Sequence, residues 1–325
     1  MTLIKDTLER PVALAVVVVG IILLGLAPRV AERYTVISLI NILMFVILTL
    51  SWTIFSGPTR YISLATAAFF GVGVYVAAVV GTDVPLIVVA GLGGLVSFIL
   101  AFLVGLLTLR LRGIYFILFT FGVSALIRHS LTWWEAHVTR TVGRYVFGGP
   151  DNETIYYYIL AIALATFLTA YVVTHSRFGL ALRSVGENEE AAAHIGINVT
   201  MMKVFGFAIS AVFMGATGAV MANRWTYIDP TTAFNPLFSF LPVVMAIFGG
   251  TSRLWGPILG AAVFTLFREY LTTEYPYFYM LGMGVVLIIV ILYLPNGLIG
   301  LVEKASHRLN RVAPLRKVLT KLRRT

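Results

Sequence analysis

The chain has 325 residues, of which 59% are hydrophobic and 12% charged, with a mean hydropathy of +0.93 and a formal net charge of +10. Soluble domains are about a quarter charged and at most half apolar, so this balance excludes an ordinary soluble domain, a disordered segment or a collagen-like fibre. The lack of cysteine removes disulfides and thiolate metal sites. What remains is an all-α polytopic membrane protein, because apolar residues run on for most of about twenty positions where a β-barrel would alternate.

Ten apolar stretches follow one another, at 12–28, 35–56, 61–81, 85–108, 113–132, 155–174, 204–223, 237–250, 254–271 and 277–295. A crossing helix needs about 20 apolar residues, and most of the ten reach that length, so the sequence predicts about 8–10 transmembrane helices. The pair at 237–250 and 254–271 is short and interrupted by Gly249, Gly250 and Pro257. Full crossings and half-helices both remain open there. The first stretch is too long for a signal peptide, has Asp6 and Glu9 beside Lys5 and Arg10 ahead of it, and has Pro28 directly after its only plausible small-residue cleavage site, so it reads as a permanent crossing. Residues 1–302 form one transmembrane domain, and 303–325 form a basic tail.

Orientation follows from the distribution of Lys and Arg on alternate sides. With both termini in the cytoplasm, the inner side holds Lys5, Arg10, Arg60, Arg110, Arg112, Arg177, Arg183, Lys203, Arg253 and the basic residues of the tail from Lys304 to Arg324. The outer side holds Arg29, Arg33, Arg128, Arg140, Arg144, Arg224 and Arg268. The tail therefore reads as an anchor on anionic membrane lipid. No aromatic residue interleaves its charges, so no nucleic-acid partner is expected. Trp133, Trp134 and Tyr156 to Tyr158 read as interfacial aromatic belts.

The chemistry that is missing narrows the function. None of Lys5, Lys203, Lys304, Lys317 and Lys321 follows a glycine, so there is no phosphate loop. His129, His137, His175, His194 and His307 show no metal-binding spacing, and there is no nucleophile elbow. No catalytic residue, metal site or cofactor is expected. The apolar interiors are nearly free of ionisable groups, with Arg128, Arg268 and Glu269 near segment ends, which argues against a proton-driven carrier. A passive or externally powered conduit fits better than an enzyme.

The segment 175–203, HSRFGLALRSVGENEEAAAHIGINVTMMK, is more than a connector. Asn188 caps a short helix, Glu189 and Glu190 sit favourably in its first turn, and Gly196 stops it. Ala191, Ala192 and Ile195 form a small apolar strip on this helix of about two turns. Alone in water it would not be stable, so its neighbours or a partner must hold it.

Glu190, Ala191, Ala192 and Gly196 make an EAAxxxG pattern that resembles the coupling-helix motif of ATP-binding-cassette importer permeases. The wider run through Ser176, Phe178, Gly179, Ala181, Leu182, Glu187, Asn188, Glu189, Ile197, Asn198, Lys203, Phe207, Ile209, Ser210, Gly215, Gly218 and Ala219 is similar to the LivM-type permeases of branched-chain amino acid importers. ISLATAAFFGVGVYVAA at 62–78, RLRGIYFILFTFG at 110–122, IFGGTSRLWGPILGAAVF at 247–264 and LPNGLIG at 294–300 resemble further blocks of that family. Two departures stand out: Ala65 replaces a family glycine, and VTRTVGRYVFGG stands where a TGGSxG-like stretch is usual.

The resemblance implies a permease fold and four kinds of partner: two ATPase subunits, a second homologous permease subunit, an extracytoplasmic solute-binding protein and membrane lipid. It implies that Glu187, Asn188, Glu189, Glu190, Ala191, Ala192, Gly196 and Ile197 couple the chain to the ATPase, which resides in the separate subunits. It also implies a cell-membrane location and a branched-chain amino acid as solute, with urea or a short amide as the alternative within the family. A free-standing channel or secondary carrier is the alternative outside it. Asn41, Ser63, Thr66 and Thr120 are the polar groups best placed along a solute path, although back-bonding to a helix carbonyl competes for each hydroxyl. The glycines within the apolar stretches, Gly256 and Gly260 among them, serve close helix packing.

Overall fold

Apolar stretches become helices here, and their ends fall where charge, glycine and proline interrupt them. The computed structural model describes residues 23–278 except 82, 83, 109, 110, 112, 147 and 252, with a few single positions outside that range. Most of the tenth apolar stretch, most of the first, and the basic tail lie outside the described residues. After a helical run at 23–30 come α1 (Arg33–Thr59), α2 (Thr66–Val80), α3 (Leu86–Thr108) and α4 (Ile114–Trp134). A π-helical turn at Glu135–Thr139 and strand β1 (Arg144–Tyr145) lead to α5 (Asn152–His175), α6 (Arg177–Glu187), α7 (Glu189–His194) and α8 (Val199–Met221). Strand β2 (Tyr227–Ile228), α9 (Pro230–Ala233), α10 (Leu237–Gly249) and α11 (Trp255–Glu274) complete the described elements. The strands pair antiparallel, Arg144 opposite Ile228 and Tyr145 opposite Tyr227.

Six described helical runs are long and apolar enough to cross a membrane, α1, α3, α4, α5 and α8 among them, and α2 is a shorter apolar helix. The α9–α10 run from Pro230 to Gly249 is the sixth. Helices α1 and α8 are the most enclosed, while α3, α4 and α5 turn most of their surface outward. Leu95, Ile99, Leu103, Leu118 and Leu168 on that outward surface are exposed, as lipid requires of a spanning helix.

Helix α8 packs against α1, α2 and α3, and the crossing depends on glycine. A Cβ on Gly73 of α2 would lie 1.9 Å from the Gly215 carbonyl oxygen of α8, and one on Gly218 would lie 2.0 Å from the Phe70 carbonyl oxygen. The α10–α11 pair closes in the same way, since a Cβ on Gly256 would lie 1.9 Å from the Gly250 carbonyl oxygen. Backbone meets backbone at these points, which is the close approach that small residues permit between membrane helices.

Three boundaries differ from those read in the sequence. The stretch 61–81 is helical only from Thr66, and residues 60–65 are unwound. Helix α8 begins at Val199, so Lys203 lies inside it and is buried, not at the end of a cytoplasmic loop. Residues 177–187, read as part of a loop, form the amphipathic helix α6. Its buried Gly179, Leu182 and Val185 recur every three positions, packing against α1 and α5.

Candidate functional site

The segment between α6 and α8 is built by local capping. The Asn188 side-chain oxygen accepts from the Glu190 and Ala191 N–H groups at 3.0 Å each. At the other end Gly196 takes φ +88°. The Gly196 N–H then donates to the Ala193 carbonyl and the Ile197 N–H to the Ala192 carbonyl, the paired bonds of a glycine helix stop. The expected cap and stop are both present, around a helix of six residues. The apolar strip divides: Ala192 faces inward and is buried, while Ala191 and Ile195 are exposed. The two adjacent glutamates divide likewise, with Glu190 exposed and Glu189 turned inward.

Glu189 meets a buried cation. Lys203 Nζ lies 2.9 Å from Glu189 Oε1, with the lysine side chain 3% exposed and the glutamate 16%. The Tyr61 hydroxyl donates to the same carboxylate oxygen at 2.5 Å, and Lys203 Nζ sits 4.7 Å from the centre of the Tyr61 ring. A buried ammonium is tolerated only when paired and hydrogen-bonded, and all these partners are supplied here. Beside this network a cleft of about 620 Å³ opens between residues 59–62, the start of α4 and residues 185–190. The sequence marked Glu189 for coupling and Lys203 only as part of the wider family-like run; it gave no sign that the two pair, and Tyr61 was not singled out.

Tyr61 belongs to the unwound segment 60–65, whose backbone groups are met by side chains from four directions. Trp52 Nε1 donates to the Ser63 carbonyl at 2.8 Å, and the Leu64 N–H donates to the Thr120 hydroxyl at 3.0 Å. The Ser239 hydroxyl donates to the Leu64 carbonyl at 2.6 Å and accepts from the Ala67 N–H at 3.1 Å. The Tyr61 N–H reaches the Thr59 hydroxyl at 3.3 Å, and the Ala65 N–H reaches Ser63 Oγ at 3.3 Å. Irregular backbone survives within a helical membrane bundle only where its polar groups are satisfied in this manner.

Ser63, Thr66 and Thr120 therefore come together at this break. The Thr120 hydroxyl also back-bonds to the Phe116 carbonyl at 2.9 Å, the competing fate expected of it. Thr66 Oγ1 and Ser56 Oγ are buried with no hydrogen-bond partner among the described residues. Both line a small void with Ser63, Trp52, Phe69, Phe207 and Met214 that leaves no room for a water molecule. Phe207 closes it, with ring centroids 5.2 Å from both Phe55 and Phe69. Asn41 lies elsewhere: eleven residues up α1 from Trp52, about 16 Å along the axis, it accepts from Arg224 Nη1 at 2.9 Å. Nearby on the same face of α1, Ser38 donates to Glu269 at 2.6 Å and Arg268 lies over Phe45.

At the far end of α4, about 30 Å from α7 by helix length, Glu135 is buried to 2% exposure. It accepts from the Gly143 N–H at 2.8 Å and from the Tyr75 hydroxyl at 3.3 Å, with Arg144 Nε 3.5 Å away. Among the described residues no group of three or more His, Asp or Glu is gathered to hold a metal ion.

A bundle of helices long and apolar enough to span a membrane, with a side-chain-clamped break at 60–65 and a short capped helix at one end, is a polytopic all-α membrane protein. Residues 34–292 match the model of the family described as the branched-chain amino acid transport system permease component, and the chain belongs to that family. The chain is 24% identical over 312 residues to the high-affinity branched-chain amino acid transport system permease protein LivM of Salmonella typhimurium, covering 84% of this chain and 71% of the relative. It is 38% identical over 123 residues to the guanosine ABC transporter permease protein NupQ of Bacillus subtilis, covering 37% of each. It is also 28% identical over 147 residues to the fructose import permease protein FrcC of Rhizobium meliloti, covering 43% of this chain and 41% of that one. No solved structure matches this chain.

Proposed function

We propose that the chain is the permease subunit of an ATP-driven importer for a neutral solute, with branched-chain amino acids as cargo. It works with two ATPase subunits, a second homologous permease subunit and an extracytoplasmic solute-binding protein. The observation that carries this reading is α7: a six-residue helix capped at both ends, fixed to the bundle through Glu189, and presenting Glu190, Ala191 and Ile195 outward. A helix this short has no stability of its own, so its fixed position serves a partner that presses on it. Closure of the ATPase pair moves α7 and switches the path from one side of the membrane to the other.

The solute path follows the break at 60–65. Two buried hydroxyls without partners, Ser56 and Thr66, cost about 1–3 kcal/mol each while dry. A passing polar solute satisfies them and so recovers that cost. Their lack of charge suits a zwitterionic or uncharged cargo, because a lone charge crossing a dry path costs several kcal/mol. The amino acid reading is supported by the relatives that align over most of the chain; the nucleoside permease aligns at higher identity over about a third. A nucleoside is thus the second reading, ahead of urea or a short amide.

The deciding measurement is uptake of labelled leucine, guanosine, urea, glutamate and lysine in a strain lacking the gene and in its complemented parent. Gene-dependent leucine uptake alone supports the first reading, and guanosine uptake alone replaces it with the second. Glutamate or lysine uptake with neither of these would sink the neutral path.

A further inference from the structure

Two structures that the proposed function treats separately, the partner-facing helix α7 and the unwound segment 60–65, are joined by a single side chain. Glu189 is the first residue of α7, and Tyr61 is the second residue of the unwound segment. The Tyr61 hydroxyl donates to Glu189 Oε1 at 2.5 Å, the oxygen that also receives Lys203 Nζ at 2.9 Å. Lys203 rises from the first turns of α8, the helix packed against α1, α2 and α3, and its ammonium lies over the Tyr61 ring. We propose that Glu189, Tyr61 and Lys203 form a strut that passes displacement of α7 to the unwound segment and so to the void at Ser63 and Thr66. The proposal rests on the coupling reading given above and adds the route by which the force travels.

The chain's own geometry explains why the force would go there. Helix α1 ends at Thr59, and Arg60 follows in the left-handed region at φ +59°, so Tyr61 is not held by a continuing helix ladder. Segment 60–65 is fixed instead by single hydrogen bonds donated by Trp52 and Ser239 and one accepted by Thr120, each on a different helix. A segment clamped by a few side chains yields more readily than a hydrogen-bonded helix. Tyr61 lies two residues from Ser63 and three from Leu64, where those clamps act. A pull at Glu189 is therefore delivered within two peptide units of the groups that line the void. The neighbouring Glu190 is exposed and takes no part in the network, so the pair of glutamates separates contact with the partner from transmission to the bundle.

A purely structural nail and a transmitting strut differ in what Tyr61→Phe does. The substitution removes only the hydroxyl; the ring under Lys203 and the Glu189–Lys203 ion pair remain, so α7 stays attached. With the complex co-expressed, purified and reconstituted, ATPase subunits should still copurify with Tyr61→Phe and ATP turnover should persist. Solute moved per ATP should fall about tenfold, the worth of one hydrogen bond to a charged group. Lys203→Met, which detaches α7 itself, should lower ATPase binding and turnover together. A second measurement also keeps the Glu189–Lys203 pair: Tyr61→Leu, which removes ring and hydroxyl together, should lower solute per ATP at least as far as Tyr61→Phe while the ATPase subunits still copurify. An unchanged ratio in both Tyr61 variants overturns the strut alone. Failure of any ATPase subunit to copurify with the unmutated chain overturns the coupling reading as well.

Discussion

At one end of the bundle Glu189 meets Lys203 and Tyr61; at the other, Glu135 meets Gly143, Arg144 and Tyr75. The two tyrosines bracket α2, one just before it and one near its end, so each end of that helix is held through a hydroxyl on a carboxylate. The remaining partners differ. Gly143 and Arg144 come from the same loop as Glu135, within nine residues, so that carboxylate chiefly folds its own loop back on itself. Lys203 and Tyr61 come from separate parts of the bundle, so Glu189 ties a surface helix to the interior. The bond sets differ too: among the described residues Glu135 Oε1 is buried without a hydrogen bond, with Arg144 Nε 3.5 Å away, while Glu189 Oε1 is met by two donors. One carboxylate closes a loop, and the other joins two working parts.

The comparison depends on α2 being one rigid piece between its two tyrosines, and the largest predicted effect tests that. Gly73→Val places a branched side chain where even a Cβ would lie 1.9 Å from the Gly215 carbonyl oxygen, so α2 and α8 must separate. Overpacking of this kind costs several kcal/mol, and against backbone there is no side chain to give way, so little folded protein should be extracted. Gly91→Val, whose Cβ would meet nothing within 4 Å, should be extracted at the level of the unmutated chain. Equal yields of the two variants would mean that the α2–α8 crossing is not the joint described.

The second prediction is all-or-none and concerns which end faces which compartment. The chain has no cysteine, so single thiols report directly. His194→Cys at the α7 end and Thr141→Cys at the Glu135 end are both exposed positions. An impermeant maleimide added outside intact cells should label Thr141→Cys alone. Labelling of His194→Cys alone would reverse the orientation and place α7 where no ATPase could reach it.

Next in size is the Glu135 anchor. Glu135→Ala removes the acceptor for the Gly143 N–H and leaves Arg144 beside an empty site, at a cost of about 1–3 kcal/mol. The purified variant should melt earlier, and its 136–149 loop should be cut faster by protease. Glu190→Ala, at an exposed position of the opposite end, should leave both readouts unchanged. If the two variants behave alike, the burial of Glu135 contributes nothing.

Much of the α7 end was legible in the sequence. Asn188 ahead of two glutamates and Gly196 behind them are local signals, and local hydrogen bonds answer them. The strut was not legible, because Tyr61 and Lys203 lie 128 and 14 residues from Glu189 and no local pattern links them. Lys203 was read as a loop charge since an apolar stretch is cut at its first cation, whereas the Asn198 cap, with its side chain accepting from the Met201 N–H, starts the helix earlier. The unwound 60–65 segment escaped for a related reason: Tyr61, Ile62, Leu64 and Ala65 are as apolar as the helix that follows. Only the side chains that satisfy its backbone reveal it, and the ones distant in sequence belong to residues 52, 120 and 239. Helix α6 did leave a signal, the three-residue spacing of Gly179, Leu182 and Val185.

The smallest predicted effect sets two helix caps against each other. Asn188 caps α7, and at the other end Asp229 caps α9, accepting from the Thr232 N–H and the Thr231 hydroxyl at 2.6 Å each. Each cap is worth about 1 kcal/mol against alanine, but only one of them titrates. Burial alone would push the Asp229 carboxyl up, yet the bonds from Thr231 and Thr232 outweigh it and hold the group below its ordinary value. A carboxyl whose folded pKa is depressed stabilises fully above its unfolded pKa, and that contribution is lost as pH falls through the folded value. The melting-temperature gap between the unmutated protein and Asp229→Ala should therefore hold from neutral pH down to about 4, the ordinary carboxylate range, and close below it. The gap for Asn188→Ala should stay constant across the same series. A gap for Asp229→Ala that persists unchanged in strong acid would show that its neutral form caps α9 equally well, and the two ends would then respond to acid alike in this respect.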